Sequence, residues 1–151
     1  MRGIGVDIVR EIKFRAKDNV DNEWYYGDLL KAIDNDTTQC YFIVTDDYSS
    51  KATNIELNMC QSPKVISETI GQFTGLYDKN KVPIYEGDIV KINDEEIMYC
   101  RYNEGYGAFE FALSEKLLGH TVLELFKRYE TQTLIFEVIG NIYDNPDLLG
   151  E

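Results

Sequence analysis

The chain has 151 residues, and its 15 Lys and Arg against 27 Asp and Glu give a formal net charge of −12 at pH 7. This length suits one compact unit or two small subdomains on a shared core, and the acidic charge repels nucleic acids and anionic membranes while it attracts basic partners. The three cysteines form no close pair, so the sequence indicates neither a disulfide framework nor a zinc site. Because no signal peptide or apolar spanning segment is visible, we expect a soluble, cytoplasmic protein without membrane contact.

The first regular pattern is the alternation of apolar and charged side chains over residues 11–17, which is typical of a strand with one buried face. The apolar positions that should point to the core are Ile12, Phe14 and Ala16. The opposite face carries Lys13, Arg15 and Lys17. These cations span about 13 Å and form a candidate interaction stripe for successive phosphates. The alternative that we favour is a solvated face paired with local carboxylates.

Further short segments follow in chain order. Residues 18–22 are rich in Asp and Asn and predict a turn, and strands are expected through Trp24, over residues 41–44 and at 55–59. In the second half, residues 69–74 and 84–92 should be extended, and residues 97–102 and 108–113 should form a hairpin. Helical spacing over 122–129 predicts one short helix, and residues 136–143 predict the final strand, bulged at Gly140 or buried on both sides.

The eleven Tyr and seven Phe in short, turn-bounded segments favour a mainly β fold. We expect a small twisted, barrel-like C-terminal unit over residues 67–151. A β-rich N-terminal portion over residues 10–66 should pack against it, and residues 1–9 should be an N-terminal extension.

The opening stretch, residues 3–9, resembles the first strand of holo-acyl-carrier-protein synthases, which implies a Mg²⁺-binding role for Asp7. The second acidic ligand on a helix and the glycine-rich substrate segment of those enzymes have no match, and an acidic enzyme is poorly suited to an acidic carrier protein. A Mg²⁺-dependent phosphopantetheinyl transferase therefore stays only a distant alternative.

A longer resemblance covers residues 10–18, 73–80, 84–90 and 136–149, which stand in the order and approximate positions seen in YopX-like phage and prophage proteins. Departures include Lys81 and Val82 in a turn where those proteins usually have glycine. The resemblance implies a small, mostly β, phage- or prophage-encoded protein in the bacterial cytoplasm. It implies no reaction and no cofactor.

We interpret the motif residues of this resemblance as structural, because glycine suits a positive-φ turn and Asp or Asn suits a hydrogen-bonded turn. They are Tyr85, Glu86, Gly87, Asp88, Gly140, Asn141, Tyr143, Asn145 and Pro146. No catalytic or metal-binding residue is assigned. The expected function is that of a non-enzymatic accessory or interaction protein. Its expected partner is a host or phage protein, and a homo-oligomer is compatible with this function. The rival is an acidic nucleic-acid mimic that inhibits a host DNA-binding enzyme, and no duplex-DNA binding is expected.

Overall fold

A computed structural model describes residues 10–33, 37–45, 62–114, 116, 118–129 and 133–150. These residues form two antiparallel five-stranded sheets and one short α-helix, which confirms the mainly β prediction. The predicted extension over residues 1–9 and the predicted strand at 55–59 lie outside the described residues.

The first sheet has the order β3-β2-β1-β4-β5. Its strands are β1 (Phe14–Lys17), β2 (Trp24–Ile33), β3 (Gln39–Thr45), β4 (Gly71–Tyr77) and β5 (Pro83–Tyr85). The predicted turn joins β1 to β2, since Asp18 Oδ1 accepts hydrogen bonds from the amides of Val20 and Asp21, and Asn22 has a φ of 61°. This local chemistry fixes the β1–β2 register, in which Arg15 stands opposite Tyr26.

The second sheet has the order β10-β6-β7-β8-β9. Its strands are β6 (Asp88–Ile92), β7 (Glu96–Asn103), β8 (Ala108–Ala112), β9 (His120–Thr121) and β10 (Phe136–Asn141). The predicted hairpin is β7–β8. The register of β10 on β6 shifts between Val138 and Gly140, so the final strand is bulged, which is one of the two arrangements that the sequence predicted.

The one α-helix among the described residues, α1 (Val122–Arg128), follows β9 directly and confirms the prediction. It begins with a capping box, in which the Thr121 side chain accepts from the amide of Glu124 while the Glu124 carboxylate accepts from the amide of Thr121. Leu125 is its buried residue and joins the main core. No helix within the described ranges has the length and apolar content needed to cross a membrane.

The largest core cluster lies against the second sheet and α1, and includes Ile84, Phe111 and Phe136, whose two phenyl rings stack with centroids 5.0 Å apart. A smaller cluster lies against the first sheet around Ala16 and Ile43. Asp78 links the sheets at the end of the β4–β5 hairpin: its carboxylate accepts from Asn80 and Val82 within the turn and from the amide of Val138 in β10.

The barrel expectation needs correction. The strands β10 and β9 lie at opposite ends of the second sheet, so the described strands form an open sheet. Strands β4 and β5 pair into the first sheet, and the second sheet begins at Asp88. Whether the two halves are independent subdomains stays a prediction.

The inward face predicted for the first strand is partly wrong. Ala16 is fully buried and Phe14 is half-buried, whereas Ile12 precedes β1 and is 58% exposed. Arg15 and Lys17, expected at the surface, are only 6% and 8% exposed. The short strand is therefore covered on both faces, and its charged residues must find partners within the protein.

Candidate functional site

The two sheets meet at a buried ion pair between Arg15 on β1 and Asp88 at the start of β6. Arg15 Nη2 lies 2.7 Å from Asp88 Oδ1, and the side chains are 7% and 2% exposed. Asp88 Oδ2 accepts a hydrogen bond from the amide of Tyr85 at 2.7 Å. Arg15 also donates to the carbonyl of Glu86 at 3.3 Å, while its Nε has no hydrogen-bond partner among the described residues.

The electrostatics of this pair are dominated by burial. Loss of water raises the pKa of the Asp88 carboxyl, while the Arg15 guanidinium and the Tyr85 amide act in the opposite direction. The 2.7 Å contact with Arg15 is that of a charge-assisted hydrogen bond, which requires the carboxylate form. Arg15 and Asp88 are therefore both charged, and they are stabilised away from water by their mutual contact and by the Tyr85 amide.

Aromatic rings enclose the guanidinium of Arg15. Its Cζ lies 4.6 Å from the ring centroid of Trp24 on β2 and 5.1 Å from that of Tyr85 on β5. A weakly hydrated, planar guanidinium stacks favourably on such rings, and a desolvated contact of this kind contributes about 2 kcal/mol. The aromatic partners therefore offset part of the cost of burying Arg15.

A second charged contact lies beside the first. Lys17 Nζ bonds to Asp144 Oδ1, and Asp144 Oδ2 accepts from Trp24 Nε1 at 2.7 Å and from Asn141 Nδ2 at 3.0 Å. Partial burial raises the pKa of Asp144, but the hydrogen bonds from Lys17, Trp24 and Asn141 outweigh it and lower that pKa to about 2. This contact ties β1 to the segment after β10.

The turn between β5 and β6 follows from its sequence. Gly87 has a φ of 86°, and a Cβ at this position would lie 3.0 Å from Tyr143 Cε2, so a larger residue would be both strained and crowded. Asp88 accepts from the amide of Tyr85 across the turn, as a hydrogen-bonded turn residue should. These observations give Gly87 and Asp88 a place in the turn, and the structural interpretation of the two residues stays a prediction; the ion pair of Asp88 with Arg15 was not predicted.

The C-terminal motif folds into a turn and a 3₁₀-helix, Pro146–Leu149. Asn141 Oδ1 accepts from the amides of Tyr143 and Asp144, and Asn145 Oδ1 accepts from the amide of Asn141. A Cβ at Gly140 would lie 2.6 Å from Asn145 Oδ1. Pro146 stands at the start of the 3₁₀-helix, as proline suits. Each of these motif residues therefore has a role in the fold.

The tyrosine of this motif connects it to the first sheet and to the segment before β4. Tyr143 lies with its ring 5.7 Å from that of Trp24, and its hydroxyl donates to the carbonyl of Glu68 at 2.8 Å. Burial raises the pKa of this hydroxyl. We define the charged junction as Arg15, Lys17, Trp24, Asp88 and Asp144. Tyr143 contacts this junction through Trp24.

The candidate stripe of Lys13, Arg15 and Lys17 does not exist as a surface. Arg15 and Lys17 are buried in the charged junction, which also shows that the favoured solvated face is wrong at these two positions. Lys13 is half-buried, with its Nζ 3.0 Å from Glu11 and 4.8 Å from the ring centroid of Phe73. The stripe offers no run of exposed cations to a nucleic acid.

No metal centre is formed by the described residues, in which no group of three or more His, Cys, Asp or Glu side chains is placed to hold an ion. Asp7, the residue of the distant enzyme alternative, lies outside the described residues. Cys40 and Cys100 are buried free thiols, and burial strongly raises the pKa of Cys100.

The fold is mainly β, with two antiparallel sheets that contact each other through the buried charged junction. Motif residues of the chain contribute to this contact. The family described as YopX protein matches residues 13–150, and the chain belongs to this family. It is also similar to a solved structure, the crystal structure of protein EF1440 from Enterococcus faecalis. The identity is 26%, the TM-score is 0.50, and the match covers 93% of this chain and 99% of that one. No curated protein matches the sequence.

Breaking the junction should destabilise the protein strongly. Replacing Arg15 with methionine leaves Asp88 charged and buried without its partner, and we expect the free energy of unfolding to fall by about 3–5 kcal/mol in urea denaturation. The control Lys13→Met removes a partly exposed pair with Glu11 and should cost less than about 1 kcal/mol. Equal, small effects of the two substitutions would contradict the assignment.

The Asp144 contact should make stability depend on acid pH. Since the pKa of Asp144 is lowered to about 2 in the folded protein, its contribution is complete above the unfolded pKa near 3.8 and is lost as the pH falls towards 2. Wild type should therefore exceed Asp144→Asn in free energy of unfolding at pH 5, and the difference should shrink towards pH 2. More than a third of the side chain is exposed, so the titrating part is about 1 kcal/mol or less. A difference that grows on acidification would contradict this account.

Proposed function

We propose that this YopX-family chain is a non-enzymatic interaction module, encoded by a phage or prophage and acting in the cytoplasm of the bacterial host, that binds a basic protein partner. The observation that carries the proposal is the excess of acidic residues. The chain has 27 Asp and Glu against 15 Lys and Arg, which gives a net charge of −12.

Ion pairs occupy cations in both sheets and in α1. The paired cations are Lys13, Arg15, Lys17, Lys79, Lys91, Arg101 and Arg128. Carboxylates such as Glu23, Glu95 and Glu104 are exposed. A surface with this imbalance attracts basic proteins and repels nucleic acids at long range.

The chemistry of the buried groups favours binding over catalysis. Burial strongly raises the pKa of Cys100 and of Tyr85, which keeps both groups in their unreactive protonated forms. Glu110, which is 2% exposed, accepts from Arg101 and Asn103 and serves to join β7 and β8. Glu110 thus has partners within the fold, as expected of a structural rather than a catalytic residue.

The test is a binding titration with protamine, a small arginine-rich protein, between about 50 and 200 mM salt. The chain should bind protamine saturably, with an affinity that falls as salt rises, because part of the attraction is screened. An unrelated acidic protein of the same net charge is the control for charge alone. We expect the chain to bind at least about tenfold more tightly than this control.

The same titration with duplex DNA of about 20 base pairs should give no detectable binding at the higher salt. Submicromolar DNA binding would contradict the proposal, and so would an affinity for protamine no better than that of the acidic control. The nucleic-acid mimic is the alternative that would gain if a DNA-binding enzyme competed with protamine for the chain.

A further inference from the structure

A cleft of about 510 Å³ lies between the two sheets, on the side of β1 where the chain enters it. Phe14 and β4 form one wall, and the β7–β8 hairpin forms the other with Tyr102 and Phe109, whose rings meet edge to face at 5.3 Å. The carboxylates of Glu86 and Glu104 belong to residues that line the same cleft. Aromatic walls and carboxylates are therefore brought together by elements from both sheets.

Glu86 lies in the β5–β6 turn, and its side chain, unlike those of its neighbours, has no polar partner in the part of the chain that the structure describes. Tyr85 lies against Arg15, Gly87 supplies the positive φ, and Asp88 forms the ion pair. The backbone of Glu86 donates to the carbonyl of Gln72 and accepts from Arg15, but its half-buried side chain forms no hydrogen bond or salt bridge with any described residue. A carboxylate held by a rigid turn at a cleft is placed to receive an external donor.

The backbone that carries this carboxylate is fixed by close packing. The carbonyl oxygen of Glu86 lies so near Gly71 on β4 that a Cβ at Gly71 would approach it to 2.4 Å. The next residue donates from its backbone, Gly87 N to the carbonyl of Cys100 at 2.8 Å. The backbone of Glu86 is therefore fixed between β4 and β7, which lowers the entropy cost of binding a ligand there.

The aromatic rings and carboxylates of the cleft favour a cationic ligand, and they favour a guanidinium over an ammonium group. An aromatic face attracts a cation through its quadrupole, and a carboxylate accepts two parallel hydrogen bonds from the planar arginine head group. The lysine ammonium is more strongly hydrated and lacks this planar geometry. The exposed Tyr102 and half-buried Phe109 and Phe14 offer the stacking surface that favours arginine.

We infer that the cleft between the β5–β6 turn and the β7–β8 hairpin binds an arginine side chain of the basic partner, with Glu86 as the main carboxylate and Glu104 as the outer one. This inference rests on the proposed function for the nature of the partner. Arg10 also lines the cleft and is exposed. Its positive charge opposes that of the incoming arginine and weakens the binding.

The test is an NMR titration of the isotopically labelled chain with N-acetyl-arginine amide, and in parallel with N-acetyl-lysine amide. Amide shifts should change at Glu86 and Gly87 and at residues 102–104, with a dissociation constant in the millimolar range, of order 1 mM, for so small a ligand. The lysine amide should bind more weakly. Arg10→Ala should strengthen the binding of the arginine amide.

The decisive variant is Glu86→Gln, which removes a charge without removing any side-chain hydrogen bond or salt bridge to a described residue and should weaken binding about fivefold. The matched control is Glu95→Gln, an equal charge change at the exposed β6–β7 turn, at the far end of β7 from the cleft. It should leave the affinity unchanged within about twofold. Thermal unfolding of both variants verifies that they remain folded.

Each outcome decides one of the two proposals. Equal affinities of Glu86→Gln and Glu95→Gln, shift changes spread over the whole surface, or equal binding of the two amides would overturn the arginine cleft. If protamine still bound in that case, the proposed function would stand without this site. If the arginine amide bound as expected but protamine bound no better than the acidic control, the cleft would stand and the proposed function would fail.

Discussion

The buried contact of Arg15 with Asp88 is the interaction on which the arrangement of the two sheets depends. Moving two charges out of water costs several kcal/mol for each, so the contact is tolerated only where geometry and neighbours recover most of that cost. Here the recovery comes from a 2.7 Å charge-assisted bond, the Tyr85 amide and two aromatic rings. Since Arg15 belongs to one sheet and Asp88 to the other, neither sheet alone can satisfy its charge.

The need to pair these buried charges explains why Asp88 and its neighbours, which resemble an acid–base cluster, have structural partners. A buried carboxylate next to a cation and a tyrosine, as at Asp88, is the kind of cluster that often performs acid–base chemistry. In this protein each member already has a structural partner, and Lys17 and Asp144 repeat the pattern beside it. Among the described residues, the Glu86 side chain at the cleft forms no hydrogen bond or salt bridge, and the proposed arginine site rests on this side chain and the proposed function on the exposed carboxylates.

The sequence predicted what is decided locally and missed what is decided by distant partners. The turn after β1, the positive φ at Gly87, the β7–β8 hairpin and α1 each depend on residues a few positions apart, and all were predicted. The alternation in residues 11–17 predicted that Ala16 is buried, but Arg15 and Lys17 are buried by partners 73 and 127 positions away, which no local pattern reveals. The pairing of β4 with β1, and hence the open second sheet, is non-local in the same way. The Asp and Asn of the C-terminal motif were recognisable as turn residues, whereas nothing in the sequence indicated that Trp24 and Asp144 would meet.

The most direct test of the central claim is native-state hydrogen exchange on wild type and Arg15→Met. If the charged junction joins the sheets into one cooperative unit, the most protected amides of β1 and of β7 should share one opening free energy in wild type, and both should fall by the same amount, about 3–5 kcal/mol, in the variant. Loss of protection in β1 with β7 unchanged would show that the second sheet is stable without the junction, and would contradict the account.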